Sequence, residues 1–550
     1  MLGRFGTVVI NRLAGWADST FVDLGRQFRW SYLPPLMVYL AAGMSGLTAI
    51  VAAFFVKDYF GFSAAFLAGL SFWAGIPWIL KMPLGHLVDI IWRWKSSLIY
   101  LGAALIACSI AIMFGLVTQT AFMAAIMRVE AWYVLSVLLA PVGYVIQDVV
   151  ADAMTVEAVP LFDRNGAPYG DDVIKAMHTT MQTLGRFAII SGIVIVAALN
   201  IGKFSGVAQL TNAEKIPLYG ELYLIAFALP VISVAGVISG NLAKRRRVAA
   251  MRAAGLADDR IERMTGTPAG ETTPNWWIFG GSLAFVAFAL AMGLSDIAFS
   301  QEIIFVGSMA IILVIMSRLI REIDAGTRGA LIGTALIVFA FRAVPLPGPG
   351  ATWWEIDVLR FDEQFLSILT LITSILALIG MIVLRPLMAK HSIAYVVVLL
   401  TVVGGLLSLP NIGLYYGVHN WTSEFTSGVV DARFIAIFDT ALESPLSQIA
   451  MIPMLAWIAK NAPPHLKATF FAVMASFTNL ALSASSLATK YLNQVYVIQR
   501  EVLDRATGVI DVVANYSELG WLLISVALIA LLVPLLTVAL VQRSRFRTTQ

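Results

Sequence analysis

Long apolar segments alternate with short polar ones along almost the whole chain. Each apolar segment is long enough for a helix that crosses the ~30 Å hydrocarbon core of a bilayer. The pattern therefore predicts membrane-spanning helices, in groups of six, two and six. The predicted spans are about 33–56, 62–91, 96–118, 131–157, 177–200, 218–242, 276–297, 303–320, 328–345, 362–386, 392–410, 431–460, 467–494 and 519–541.

The polar segments between these groups predict the domain organisation. Two six-helix halves joined by a basic cytoplasmic segment are typical of transporters whose halves rock about a site at the bilayer midplane. The predicted parts are a cytoplasmic amphipathic arm at 1–30, an N-terminal six-helix half at 31–242, a basic cytoplasmic loop at 243–274, an extra helical hairpin at 275–322, a C-terminal six-helix half at 323–542 and a cytoplasmic tail at 543–550.

The composition supports a polytopic membrane protein and excludes several other classes. Hydrophobic residues make up 59% of the chain and charged residues 13%, whereas globular domains carry about 25% charged residues. The single cysteine, Cys108, excludes a disulfide scaffold and a cysteine-based metal site. No phosphate-binding glycine loop or nucleophile elbow is present, so we expect no enzyme, cofactor or metal. The net charge of +4 is small and indicates no nucleic-acid partner.

The basic residues predict the orientation of the spans. Every second segment between the spans is rich in lysine and arginine, with few exceptions. Cytoplasmic loops carry such an excess of basic residues. Both termini are therefore predicted to be cytoplasmic, in a bacterial inner membrane. The predicted inside segments contain Arg93 and Lys95, Lys244 to Arg263, Arg321 to Arg328, Lys390, Lys460 to Lys467 and Arg543 to Arg547.

Four charged residues lie deep inside predicted spans of the N-terminal half, away from the span ends. Asp148 and Asp152 are four residues apart and share one helix face. Lys81, Asp148 and Arg186 all lie about 17–18 Å from the cytoplasmic ends of their spans at 1.5 Å per residue. Intramembrane charges need partners and mark functional sites. We expect a charge network in which Asp148 and Arg186 form an ion pair, with Arg186 suited to a substrate carboxylate. The alternative is a purely structural charge clamp.

The C-terminal half also carries intramembrane carboxylates. Asp439 and Glu443 are again four residues apart, and Glu443 falls near the middle of its span. Burial favours the protonated form of a carboxyl group, so Glu443 is the predicted proton carrier and Asp439 a second candidate. Arg342 is a possible partner of Asp439.

The segment between the second and third spans resembles a motif of the major facilitator superfamily. Gly85, Asp89, Arg93 and Lys95 correspond to the glycine, aspartate and basic residues of a cytoplasmic latch in that superfamily. The resemblance implies an all-α major facilitator fold with two extra helices between its halves. It also implies a close helix approach at Gly85 and a charge pair that breaks on gating.

Stretches in both halves resemble the folate–biopterin transporter family of this superfamily. The resemblance implies a secondary transporter that moves a small folate- or pterin-like organic anion across the membrane by alternating access, with protons as the expected coupling ion. The stretches are 54–63, 76–85, 148–157, 451–455, 462–472 and 476–479.

Two other interpretations remain open from the sequence. The muropeptide permeases share a pattern similar to that from Gln147 to Ala153, followed by an arginine like Arg186, so a permease for an amphiphilic solute is one alternative. A non-transporting membrane assembly factor is an alternative from another class. The expected partners are a small-molecule substrate, protons and the lipid bilayer, and the protein is expected to be a monomer.

Overall fold

The computed structural model shows a helical protein. Eight helical segments of the described chain are long and apolar enough to cross a membrane. The count of fourteen spans stays a prediction, because segments 1–27 and most of 276–297 and 444–466 lie outside the described residues. The structure describes residues 28–59, 62–79, 81–91, 94–160, 162, 169–258, 261, 280, 287–288, 291–292, 297–321, 325–383, 391–443, 467–503 and 510–548.

Ten helices build the N-terminal half as described. The first predicted span is interrupted by the 3-10 helix Met44–Thr48, and the sixth is divided at Phe227. The helices are α1 (Leu33–Gly43), α2 (Ala49–Tyr59), α3 (Ala64–Ile79), α4 (Lys81–Ile90), α5 (Lys95–Thr118), α6 (Thr120–Ile126), α7 (Val129–Ala158), α8 (Asp171–Lys203), α9 (Asn212–Ala226) and α10 (Ala228–Ala253).

The segment predicted as a basic loop begins as a helix. Helix α10 continues through Lys244 to Ala253. Alanine, lysine and arginine are strong helix formers, so the helix extends beyond the apolar part of the span.

Nine further helices follow Ser300. Two short helices among them, Pro349–Asp357 and Val418–Phe425, lie in segments that the hydropathy pattern predicted only as loops, as does α6 in the N-terminal half. A small antiparallel hairpin, β1 (Val502–Leu503) with β2 (Ile510–Val512), lies in the last outer loop. The helices are α11 (Ser300–Ile320), α12 (Ala325–Arg342), α13 (Pro349–Asp357), α14 (Glu363–Val383), α15 (Ile393–Tyr415), α16 (Val418–Phe425), α17 (Ala432–Glu443), α18 (Lys467–Val495) and α19 (Leu519–Arg543).

Glycines bring the helices of the N-terminal half into backbone contact. A Cβ atom on Gly102 of α5 would lie 2.7 Å from the carbonyl oxygen of Gly143 on α7. A Cβ atom on Gly192 of α8 would lie 2.5 Å from the carbonyl oxygen of Leu40 on α1. Real Cβ atoms do not approach so closely, so α5 and α7, and likewise α1 and α8, keep their spacing only with glycine at these points.

A hydrophobic core lies where the two halves meet. It combines residues of α3 from the N-terminal half with residues of α18 from the C-terminal half. Helix α11, the second member of the predicted extra hairpin, packs into this same core. Its buried members include Phe72 and Ile76 of α3, Ile304, Ile312 and Met316 of α11, and Leu480 and Leu487 of α18.

Polar bonds at the first turn of α11 reach both halves. Gln301 donates through Nε2 to the carbonyl oxygen of Gly69 on α3 at 3.2 Å, and its Oε1 accepts from Lys490 of α18 at 3.0 Å. Glu302 accepts at Oε1 from Lys490 at 2.9 Å and from the hydroxyl of Tyr491 at 2.6 Å. Helix α11 is therefore held to α18 by three bonds and to α3 by one.

Candidate functional site

Three intramembrane charges of the N-terminal half meet between helices α4 and α7. Lys81 stands at the start of α4, and its Nζ lies 2.5 Å from Oδ2 of Asp148 and 2.8 Å from Oδ2 of Asp152, both on α7. The two carboxylates share one face of α7 because they are one turn apart. One lysine is thus shared by two carboxylates.

A tyrosine from α1 completes this group. The Tyr39 hydroxyl donates to Oδ1 of Asp152 at 2.5 Å, and Tyr39 is 5% exposed. A Cβ atom on Gly185 of α8 would lie 3.0 Å from the Tyr39 ring, so the absence of a side chain at Gly185 makes room for this tyrosine. Tyr39 was not among the residues predicted from the sequence. The signal available was that it is the single hydroxyl-bearing residue of the otherwise apolar helix α1.

Arg186 does not form the ion pair predicted with Asp148. Among the described residues no carboxylate lies within 4 Å of its guanidinium, and Lys81 takes the predicted place beside Asp148. Arg186 nevertheless lies within electrostatic range of Asp148 and Tyr39. The prediction relied on equal depth alone, whereas contact also depends on how each helix is rotated.

The exposure of these side chains shows which way the group faces. The Asp152 side chain is 46% exposed and that of Asp148 15%, and Arg186 is exposed. A charge facing hydrocarbon at this depth costs at least ~2.5 kcal/mol, so exposed charges there face a water-filled space. Asp152 and Arg186 are therefore expected to face water, while Asp148 is less exposed.

Buried polar contacts fix the rotation of α7. Gln147, beside Asp148, is 3% exposed. Its Nε2 donates to the carbonyl oxygen of Ile99 on α5 at 3.2 Å and to the Ser233 hydroxyl on α10 at 3.0 Å. These bonds tie α7 to two neighbouring helices and hold the Asp148 face towards Lys81.

A second charge cluster lies at the C-terminal end of α7. Glu157 is bound by Lys95 of α5 at 2.8 Å and by Lys244 of α10 at 2.6 Å. Lys95, predicted as part of the gating motif, is buried. Its described partner lies within the N-terminal half.

Of the other predicted gating residues, only Gly85 can be compared with its prediction. The close helix approach expected at Gly85 is absent among the described residues, since a Cβ atom there would meet nothing within 4 Å. The expectation came from the motif alone, and the glycine faces open space here. The Asp89 side chain and Arg93 lie outside the described residues, so their gating role stays a prediction.

The predicted pair in the C-terminal half is also absent. Asp439 is buried and accepts from Nδ2 of Asn411 on α15 at 2.8 Å, and no ion pair within 4 Å joins it to Arg342 in the described structure. Nη1 of Arg342 is buried with no hydrogen-bond partner among the described residues. The depths of Arg342 and Asp439 matched only loosely, and an amide takes the place of the arginine. The Glu443 side chain lies outside the described residues.

Two ion pairs on the side predicted to face outwards join the halves and were not foreseen. Lys57 at the end of α2 lies 2.6 Å from Asp357 of α13, which also accepts from the Tyr516 hydroxyl. Lys215 of α9 lies 2.9 Å from Glu363 at the start of α14. These residues fall at span ends and in loops, where hydropathy carries no information about pairing.

The Glu363 side chain is completely buried at this contact. Its Oε1 accepts from Lys215 and, at 2.5 Å, from the Tyr219 hydroxyl. Buried polar bonds therefore join the two halves on this side.

Two titratable groups outside the spans are shifted by burial. Burial raises the pKa of Glu355 on α13 to about 7. Burial, followed by the hydrogen bond to Asp357, raises the pKa of Tyr516 above its usual range. In the described part of the chain, no group of three or more His, Cys, Asp or Glu residues could hold a metal ion.

Solved structures with the same architecture are membrane transporters. A POT family transporter in complex with 5-aminolevulinic acid superposes with a TM-score of 0.59 at 14% identity, over 92% of this chain and 95% of its own. A peptide transporter POT in complex with alafosfalin gives 0.57 at 16% identity, over 96% of both chains. The nucleoside transporter NupG gives 0.54 at 12% identity, over 93% of this chain and 99% of its own.

These likenesses establish the predicted all-α transporter fold of the major facilitator type. The chain matches the BT1 family over residues 42–549 and belongs to that family. It is 20% identical to the folate-biopterin transporter of Synechocystis sp. over 481 residues, which cover 86% of this chain and 77% of that protein. The predicted family is confirmed, and the protein is a multi-pass membrane transporter of small molecules, as predicted, and not an enzyme.

Proposed function

We propose that the protein is a secondary active transporter that moves a folate- or pterin-like organic anion across a bacterial inner membrane by alternating access, coupled to protons. Its family membership and its Synechocystis relative support the substrate class. The observation that carries the proposal is the group of Lys81, Asp148 and Asp152 beside an exposed Arg186. Their helices are predicted to cross the membrane, with Lys81, Asp148 and Arg186 at similar depths. Charges in such a place are costly unless transport uses them.

The roles follow from charge and exposure. Arg186 is an exposed guanidinium with no ion pair to another described residue, and its planar donors suit a carboxylate. Lys81 already has two carboxylate partners, so it is less available to an anion. The glutamyl part of a folate would therefore bind at Arg186.

The closed outer contacts support the alternating-access part of the proposal. Lys57–Asp357 and Lys215–Glu363 must both break before the outer sides can separate. The proposed domain boundaries are those predicted from the sequence, with the hairpin at 275–322 outside a twelve-helix core. Both termini are proposed to be cytoplasmic, and the protein to be a monomer.

Proton coupling has candidates in both halves. Asp439 is buried in α17 beside Asn411, as a proton-binding carboxyl group would be. Glu443 lies one turn further along α17 and remains the candidate from the sequence. If Glu443 carries the coupled proton, Glu443→Gln should abolish gradient-driven accumulation and leave counterflow exchange intact.

Transport in proteoliposomes tests the substrate class. We expect wild-type protein to accumulate folate when the pH gradient is imposed, and Arg186→Gln to lose this uptake. Asp258→Asn is the matched control, because Asp258 forms an exposed pair with Arg252 on a cytoplasmic segment. Accumulation of muropeptides instead of folate and biopterin would favour the permease alternative. Absence of transport with every solute would favour a membrane assembly factor.

A further inference from the structure

The charges around Asp148 add to zero in the absence of substrate. Lys81 and Arg186 each carry one positive charge, and Asp148 and Asp152 each carry one negative charge. Lys81 is held between both carboxylates at 2.5 and 2.8 Å, which keeps it charged, and arginine does not lose its proton in proteins. Among these four groups, only the two carboxyl groups can change their charge readily.

Neighbouring helices bring no further described charge into direct contact with this group. Helix α1 contributes the neutral Tyr39, and α3 has no charged residue. Helices α5 and α10 contribute Lys95 and Lys244, which are both bound to Glu157. Glu157 lies about 7.5 Å beyond Asp152 along α7, at 1.5 Å per residue. On α4 the Asp89 side chain lies outside the described residues.

We propose that this group links one proton to one substrate carboxylate, with the carboxylate bound at Arg186 and the proton bound by the Asp148–Asp152 pair. The inference deepens the proposed function and rests on it. A carboxylate at Arg186 changes the sum of the charges from zero to −1. One proton on either aspartate returns it to zero, and a low-dielectric site favours the neutral sum.

The geometry identifies how the proton reaches the pair. Asp152 is 46% exposed, whereas Asp148 is 15% exposed behind it. Water in the space between the halves therefore reaches Asp152 first. Lys81 bridges the two carboxylates, so a proton that neutralises one lets Lys81 pair fully with the other. The Tyr39 hydroxyl keeps Asp152 in position for this exchange.

Linkage makes the two binding events support each other. If substrate favours proton binding, then protons favour substrate binding by the same factor. A proton-rich compartment loads both together, and a proton-poor compartment releases both. The chemistry at Arg186 sets the class of coupled solute, which is an organic anion with a carboxylate. A neutral pterin would bind without a proton.

Binding of folate and of biopterin to wild-type protein in weakly buffered detergent tests this inference. Folate carries carboxylates and biopterin does not. We expect folate to take up about one proton per molecule bound and its Kd to fall up to tenfold per unit decrease in pH, with no proton uptake for biopterin. Folate binding without proton uptake overturns the inference and leaves the proposed substrate class intact. Absence of binding by both solutes overturns the proposed function and the inference with it.

Variants then locate the proton. Asp152→Asn and Asp148→Asn each fix one member of the pair in a neutral form. We expect folate to bind either variant that folds with a Kd independent of pH and without proton uptake, and exchange to continue while accumulation stops. Asp258→Asn should behave as wild type. Retained uptake of one proton per folate in both Asn variants would overturn the assignment and move the proton to the C-terminal half.

Discussion

The buried ion pair on the outer side allows a quantitative test of how the halves are held together. Lys215→Met removes the ammonium group and keeps most of the aliphatic stem. It leaves the Glu363 carboxylate, whose side chain is 0% exposed, with the Tyr219 hydroxyl as its remaining described side-chain donor. The perturbation therefore strands a buried charge without opening a large cavity.

The size of the effect follows from burial. Removing one partner of a buried ion pair costs ~3–5 kcal/mol, because the other charge is left uncompensated. The retained Tyr219 bond places the expected cost near the lower end, at about 3 kcal/mol. Lys203→Met is the matched control, since Lys203 and Glu221 form an exposed pair at 2.8 Å within the N-terminal half. Exposed pairs contribute ~1 kcal/mol or less.

Two assays measure this effect. In detergent, Lys215→Met should lower the Tm by several degrees more than Lys203→Met, and adding Glu363→Gln should restore most of the loss. In membranes, a cysteine at Gln364, which contacts the Ile201 carbonyl oxygen at 3.3 Å, reports separation of the halves. In a Cys108→Ser background, Lys215→Met should accelerate the labelling of this cysteine by an impermeant maleimide by up to ~100-fold. A loss of about 3 kcal/mol shifts the equilibrium between joined and separated halves by that factor. Equal Tm values and labelling rates for both lysine variants would refute the reasoning.

Three more predictions concern other described residues. Tyr39→Phe removes the bond to Asp152 and should lower folate uptake by about tenfold, for a loss of ~1.5 kcal/mol, without changing the Tm appreciably; an unchanged initial rate would contradict it. Glu157→Gln leaves the buried Lys95 without its carboxylate and should lower the free energy of unfolding by ~2–3 kcal/mol, measured by thermal denaturation. Because the pKa of Glu355 is raised from 4.5 to about 7, its folded form retains a proton that the unfolded chain loses. The contribution of Glu355 to stability should therefore be fully present below pH 4.5, fall as pH rises and be lost above pH 7, by at most ~3 kcal/mol. Glu355→Gln should remove this component from the Tm–pH curve.

The spans and the intramembrane charges were predictable because both depend on local sequence. An apolar segment of sufficient length must be a helix in a bilayer, so most predicted spans coincide with described helices. The spacing of Asp148 and Asp152 already placed them on one face. Their depth then indicated Lys81 as a neighbour, and the structure places it between both carboxylates.

The partners of other charges were not predictable, because they depend on helix rotation and on contacts between the halves. Equal depth suggested Arg186 for Asp148, yet the two do not pair. Glu363 lies far from Lys215 in the sequence, and only the packing of α9 against the start of α14 reveals their contact. Tyr39 likewise acquires its role from the glycine opposite its ring.

The unequal attachment of α11 has a consequence for the surrounding lipid. When the outer sides separate, the single bond from Gln301 to the Gly69 carbonyl oxygen is the weakest point, whereas three bonds keep α11 on α18. Helix α11 should therefore travel with the C-terminal half. Its apolar residues, such as Ile304 and Ile312, would then extend across the widening gap beside α3. In this position the helix would cover the gap and keep lipid acyl chains out of the water-filled path of the solute.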